Sequence, residues 1–197
     1  MDLEFLKDFH RKRVQLLADA GPDLIAFETV PNKLEAQKEI LIYFRYVEPI
    51  MLIQAFTQLL DEENIKVPAW ISFNSKDGVN VVSGDPISEC ASVADSCKRV
   101  LLVGINCTPP RFIHNLILDV KKVTSKPIVI YPNSGENYDA DRKEWVQNTG
   151  VPDEDFVSYV HNWCEAGAAL VGGCCRTTPN TIRGIYETLR GKTANLN

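Results

Sequence analysis

At 197 residues and 45% hydrophobic content, the chain holds enough apolar material for one domain with a sizeable core. Its 21 basic and 26 acidic residues leave a net charge of −5 with no basic stripe, which argues against nucleic acid as a partner. Six cysteines are too dilute at this length for a small disulfide scaffold, and they point to reduced thiols in a cytosolic (cytoplasmic) protein.

Helix and strand patterns alternate from end to end. The opening stretch, MDLEFLKDFHRKRVQLL, is charged and amphipathic. It lacks the apolar segment of a secretory signal, and its acidic residues are foreign to an organelle transit peptide. The periodicity predicts a helix over 3–20, stopped by Gly21-Pro22, and then a strand over 24–29 (LIAFET). Asn32 and Glu35 have the spacing of a capping box that opens the next helix. The apolar run over 40–56 is interrupted by Arg45, Glu48 and Pro49, so no membrane span is expected. Residues 38–53 lack a clean period, and the crossover from 24 to 69 is longer than the next, from 69 to 100. Two readings follow: an insertion at about 38–53 into a helix complete without it, or an extra helix lying on the domain.

Further strands are expected over 69–74 (AWISFN), 100–106 (VLLVGIN), 127–131 (PIVIY) and 169–173. VLLVGIN is almost wholly apolar, as a strand buried on both faces should be. Between the strands, one helix carries Ile87, Cys90, Ala91, Ala94 and Cys97 at helical spacing. The next starts at Pro109-Pro110 with Phe112, Leu116, Val120 and Val123 inward. A polar loop over 132–152 precedes a helix with Phe156, Val160, Trp163 and Cys164 inward. The last helix is capped at Thr178-Pro179 and ends at Gly191.

Strands separated by helices imply parallel pairing through right-handed crossovers. The spacing of roughly 30 residues per unit is that of an eight-unit barrel of about 250 residues. The expected fold class is therefore α/β: a partial TIM-type (β/α)8 barrel over 1–197, with about five of eight parallel β/α units present and the first three strands lacking. Strand edges at 24–29 and 169–174 would then face solvent and invite self-association.

In such a barrel the reactive groups sit where strands end. Cys107 closes GINC, and Cys174 and Cys175 close VGGCC, so all three thiols belong to one rim. Thiolates favour soft or borderline ions such as Zn2+, and three protein ligands leave a fourth position for substrate. Neighbours on an extended strand point to opposite faces, so the doublet must sit in a turn, for which Gly172 and Gly173 supply backbone freedom. Free cysteines are also common in cores. Packing is the alternative for any one of the three, and it is the reading for Cys90, Cys97 and Cys164. Glu28, at the end of FET, reaches the same rim. It suits either a charge-assisted hydrogen bond to a substrate ammonium or a favourable charge at the next helix N-terminus. His10, His114 and His161 all fall within helices and form no ligand set. No phosphate-cradling glycine loop, catalytic triad or HExxH motif is present, and no CxxC motif supports a thiol-redox protein.

GINC followed by GGCCRTTP resembles the homocysteine S-methyltransferase family. FET, AWISFNSKDGVNVVSGD and YPNSGENYD resemble its S-methylmethionine-using branch. Apart from the suspected insertion, the similarity covers nearly the whole chain. The resemblance implies Zn2+ bound by Cys107, Cys174 and Cys175, with the homocysteine sulfur as fourth ligand and Glu28 holding its amino-acid end. It also implies methyl transfer from a sulfonium donor, S-methylmethionine or S-adenosylmethionine, to give methionine, with selenocysteine as another candidate acceptor. The family's first three strands close the barrel and carry further homocysteine contacts. A chain without them is expected to show little or no activity. The alternative function is a non-catalytic truncated isoform that binds zinc or associates with a full-length sister chain.

Overall fold

The computed structural model describes residues 2–29, 49–139 and 141–194. The possible capping box at Asn32 and Glu35, and most of the suspected insertion, lie outside these residues. The described elements are α1 (Leu3–Asp19), β1 (Ile25–Phe27), α2 (Pro49–Glu62), β2 (Ala69–Phe73), α3 (Ile87–Ser96), β3 (Val100–Asn106) and α4 (Pro110–Lys121). They continue with β4 (Ile128–Tyr131), β5 (Asn137–Asp139), β6 (Glu144–Val146), α5 (Asp153–Ala166), β7 (Ala168–Val171) and α6 (Pro179–Ala194).

β1, β2, β3, β4 and β7 form one sheet in that spatial order, and every pairing is parallel. Each helix packs on the next in sequence, from α1 on α2 through to α5 on α6, so the helices make one layer along the sheet. This is the arc of a TIM-type barrel, with β1 and β7 as its outer strands among the described residues. No helix among the described residues is long and apolar enough to cross a membrane.

The register explains why the strands read as apolar. Ile71 pairs with Val103 and Val103 with Ile128, while Phe73 pairs with Ile105 and Ile105 with Ile130. All six are buried, and they meet Leu59, Leu60, Ile87, Ile113, Leu116 and Trp163 in the core between sheet and helices. The residues between them form the opposite row, Ser72, Gly104 and Val129, followed by Asn106 beside Tyr131. Gly104 sits in the middle of that row. A Cβ there would lie 2.7 Å from Val129 Cγ1, 2.8 Å from Val129 O and 3.1 Å from Ser72 Cβ. Its bareness lets the Tyr131 hydroxyl bridge over β3 to Ser72 Oγ, 2.6 Å away.

Several elements differ in detail from expectation. The segment over 132–152 holds the hairpin β5–β6, with Tyr138 opposite Trp145 and their rings 5.3 Å apart. Its strands are too short for the period to register. On α4 the buried stripe runs through Ile113, Leu116, Ile117 and Val120, with Phe112 and Val123 at its margin. The last helix continues past Gly191 to Ala194, because one interior glycine weakens a helix by only about 1 kcal/mol. On α2, Ile53 is fully buried, so the end of the suspected insertion belongs to the core.

α1 is tied to the end of α2 by charge. Lys7, almost fully buried, reaches Glu62 at 2.5 Å and Glu4 at 2.9 Å, and Arg11 pairs with Glu63. His10 lies edge-on to Phe56, with ring centroids 4.8 Å apart, and its buried Nε2 has no partner among the described residues. Burial, aided by the nearby Arg13 cation, lowers its pKa from 6.5 to about 4. The unfolded chain therefore binds more protons between those values, and stability falls as pH drops from about 6.5 towards 4. Urea unfolding midpoints at pH 7 and pH 4.5 should show this loss in the parent chain, and a smaller loss in His10→Leu. In the sheet, Gly104→Ala should destabilise the fold by about 1–3 kcal/mol, measured by urea unfolding at pH 7, because the added methyl overpacks against Val129.

Candidate metal centre

The cysteines come together because of the strand that separates them. β4 lies between β3 and β7, and its ladder continues past Tyr131 on both sides. On one side, Cys107 N donates to Tyr131 O at 3.2 Å and Asn133 N to Thr108 O at 3.2 Å. On the other, Gly172 N donates to Ile130 O, Cys174 N to Pro132 O at 2.8 Å, and Ser134 N to Cys175 O at 3.0 Å.

Backbone turns then aim the side chains. Asn106 lies in the Tyr131 row, so a Cys107 in extended conformation would point into the helix layer. Its φ of 46° turns the chain at the strand end instead. Left-handed backbone is uncommon for a non-glycine residue and marks functional sites more often than chance. Arg176, with φ of 66°, closes the turn that carries the doublet, and Thr177 Oγ1 donates to Cys174 O at 2.7 Å. A Cβ on Gly173 would run into the Thr177 side chain, so the close turn requires glycine there.

The three sulfurs form a triangle. Cys107 Sγ lies 2.7 Å from Cys174 Sγ and 3.6 Å from Cys175 Sγ, and the doublet's own sulfurs are 3.9 Å apart. All three residues are half-buried, and none of the six cysteines is in a disulfide. Zn–S bonds of about 2.3 Å in a tetrahedron place sulfurs roughly 3.8 Å apart. Two sides of the triangle match that spacing. The third is a direct sulfur–sulfur hydrogen bond between Cys107 and Cys174. That hydrogen bond is the main influence holding Cys174 down at about 6, while the same contact and burial push the Cys107 thiol up. Among the described residues these three cysteines are the one group of His, Cys, Asp and Glu side chains able to share an ion. By donor type, and by two of the three sulfur separations, the residues fit a thiolate-bound metal ion.

Cys90 and Cys97 are buried in the core, apart from this triangle. Cys164 packs at the core margin on α5. Glu28 follows β1 and is exposed. Its carboxylate approaches the Tyr131 phenol, whose pKa is raised chiefly by burial and further by that charge. The rim thus links Glu28, Tyr131 and Ser72. Asn106 extends the link, donating from Nδ2 to Thr29 Oγ1 at 2.6 Å. Beside the doublet, Arg176 Nε donates to Glu136 Oε2 at 2.6 Å and anchors the base of the hairpin.

Tyr131, Ser72, Asn74 and Asn106 were not singled out by sequence reasoning. The available signal was polar residues at alternate positions in strands expected to be apolar on both faces: Ser72 and Asn74 in AWISFN, Asn106 in GINC, Tyr131 closing PIVIY.

Comparison with known proteins identifies relatives of this chain. A family profile described as Homocysteine S-methyltransferase matches residues 1–189. The chain is 66% identical over 186 residues to "Homocysteine S-methyltransferase 3" of Zea mays, covering 94% of this chain and 50% of that protein. It is 68% identical over 186 residues to "Selenocysteine methyltransferase" of Astragalus bisulcatus, with the same coverage. The chain thus spans about half the length of the curated relatives it matches. Among solved structures, the metallated form of the homocysteine methyltransferase MmuM from Escherichia coli aligns with a TM-score of 0.71 at 30% identity. That alignment covers 95% of this chain and 52% of the bacterial one.

Loading the purified chain with zinc under reducing conditions should give one ion per chain by elemental analysis. Cys107→Ser, Cys174→Ser and Cys175→Ser should each weaken zinc binding by at least about 100-fold, since even outer-shell changes reach that size. Cys90→Ser and Cys164→Ser should leave the stoichiometry intact.

Proposed function

Since the chain belongs to the homocysteine S-methyltransferase family, we propose that its rim of thiols serves zinc-dependent methyl transfer from a sulfonium donor to homocysteine, giving methionine. The observation that carries this reading is the triangle of Cys107, Cys174 and Cys175 at adjoining strand ends. These three residues would hold the zinc, and the bound ion would lower the pKa of an incoming thiol so that a thiolate forms at neutral pH.

The remaining work falls to the chain's own side chains. Glu28 receives the positive end of the amino acid, and the exposure of its carboxylate keeps it reachable. Tyr131, fixed by Ser72, adjoins that carboxylate and walls the space beside the thiols. The substrate sulfur attacks the donor methyl carbon in line. A new S–CH3 bond forms as the donor's S–CH3 bond breaks, and the electron pair leaves on the donor sulfur as a neutral thioether. No general base is required once the thiol has lost its proton. S-methylmethionine is the donor favoured by the motif resemblance, with S-adenosylmethionine as second, and selenocysteine is an alternative acceptor.

A second reading is supported by the open edges at β1 and β7: a zinc-binding chain without turnover, associating with a longer sister chain. The two are separated by a methyl-transfer assay with each donor. It compares the 197-residue chain with the same chain joined to three further β/α units. The joined chain is expected to produce methionine from S-methylmethionine and homocysteine, and the 197-residue chain to produce little or none. Ordinary turnover by the shorter chain would remove the second reading. Absence of methionine from both, with zinc present, would remove the first.

A further inference from the structure

Two buried oxygens beside the thiols have no hydrogen-bond partner among the described residues: Asn74 Oδ1 and Asn106 Oδ1. Their residues are only 6% and 1% exposed. Buried polar atoms are almost always paired, so a pair of orphaned acceptors at one place points to something that donates to both.

Their positions are fixed by the sheet. Asn74 directly follows β2 and Asn106 ends β3, and the Phe73–Ile105 pairing before them sets the two side by side. Asn106 shares the row of Tyr131, and Asn74 lies two residues beyond Ser72, so both fall on the face of the Tyr131–Ser72 bridge. The Asn106 amide also crosses the end of a strand. β2 lies between β1 and β3, yet Asn106 Nδ2 donates to Thr29 Oγ1, which follows β1. The amide therefore passes over the end of β2, beside Asn74, and reaches the residue next to Glu28. Its nitrogen is engaged there, and its oxygen is the free atom. The next residue in the chain is Cys107.

The atoms left without a partner in this corner are acceptors, the two amide oxygens, and the Glu28 carboxylate lies on the same rim. A primary ammonium has three N–H donors and no acceptor. We propose that Asn74 and Asn106 accept hydrogen bonds from the α-ammonium group of the amino-acid thiol or selenol, with Glu28 as the third acceptor. This assignment rests on the methyl-transfer reading and deepens it. The two asparagines become positioning residues that select an α-amino acid over a simple thiol, and Asn106 links the ammonium corner to a zinc ligand through one peptide bond.

The test is isothermal titration calorimetry on the zinc-loaded chain with two ligands, L-homocysteine and 4-sulfanylbutanoate, which keeps the thiol and carboxylate but lacks the ammonium. Asn106→Ala and Asn74→Ala should each weaken L-homocysteine binding by about 10-fold or more, as expected for a hydrogen bond to a charged group. They should leave 4-sulfanylbutanoate unchanged. Asn106→Asp retains an acceptor oxygen and the side-chain shape, so it should bind L-homocysteine at least as tightly as the parent. That variant carries the test if the alanine forms do not fold. Equal weakening of both ligands, no weakening of either, or loss of L-homocysteine binding in Asn106→Asp would overturn the assignment and leave the two oxygens to water. The same titrations are run on the chain joined to three further β/α units; if that zinc-loaded chain also binds neither ligand, the methyl-transfer reading itself fails, and this assignment fails with it.

Discussion

The backbone from Tyr131 to Ser134 hydrogen-bonds along both of its edges, to Cys107 and Thr108 on one side and to Cys174 and Cys175 on the other. That double engagement is the constraint on which the site depends. Two segments nearly seventy residues apart in sequence are each held one strand spacing, about 4.8 Å, from a common neighbour. Strand spacing alone would leave the sulfurs on opposite sides of that neighbour. The left-handed turn at Cys107 and the glycine-led turn after β7 bring them in above it. A parallel sheet makes this arrangement natural, because all its strands end at the same side and their exits can converge.

Below the thiols, the same sheet carries a polar layer that the core would not tolerate. Core positions on β2, β3 and β4 are filled by Ile71, Phe73, Val103, Ile105, Ile128 and Ile130, all buried against helices. The alternate positions hold Trp70, Ser72, Gly104, Asn106 and Tyr131. The Tyr131–Ser72 hydrogen bond satisfies two of these polar groups by crossing the bare backbone at Gly104. The layer is thus organised by one missing side chain. It leaves the phenol facing Glu28 and the indole of Trp70 tilted against the Tyr131 ring, 6.0 Å between centroids.

Among the described residues, β1 and β7 are the outer strands of the sheet. A parallel edge strand offers unpaired amides and carbonyls to any strand that can reach it. Leu170 on β7 is exposed, and on α1 so are Phe5, Phe9, Leu16 and Leu17. The site nevertheless lies away from the edges for its central part, since Cys107 and Tyr131 belong to the inner strands β3 and β4. The thiol triangle therefore has its scaffold within the five strands described, whereas Glu28 follows the outer strand β1, whose one strand neighbour among the described residues is β2.

Much of this was legible in the residues. Period-two and period-3.6 apolar patterns gave strands within one or two residues of those observed, with 100–106 matching in full. Parallel order followed from the alternation of elements. The placement of the three thiols at strand ends was likewise readable, because each follows an apolar run that reads as a strand. The hairpin over 137–146 escaped notice because three-residue strands carry too little period, and pattern alone left the apolar stretch at 38–53 open between an insertion and an extra helix lying on the domain. What the sequence by itself determined was local: which residues form each element, and which chemistry stands at its end. Only the tertiary structure decided which ends meet. The register across Gly104, the crossing of Asn106 to Thr29, and the shared hold of Tyr131–Ser134 on both cysteine segments are contacts between strands far apart in the chain. Neither helical nor strand periodicity carries information about which distant strand becomes a neighbour.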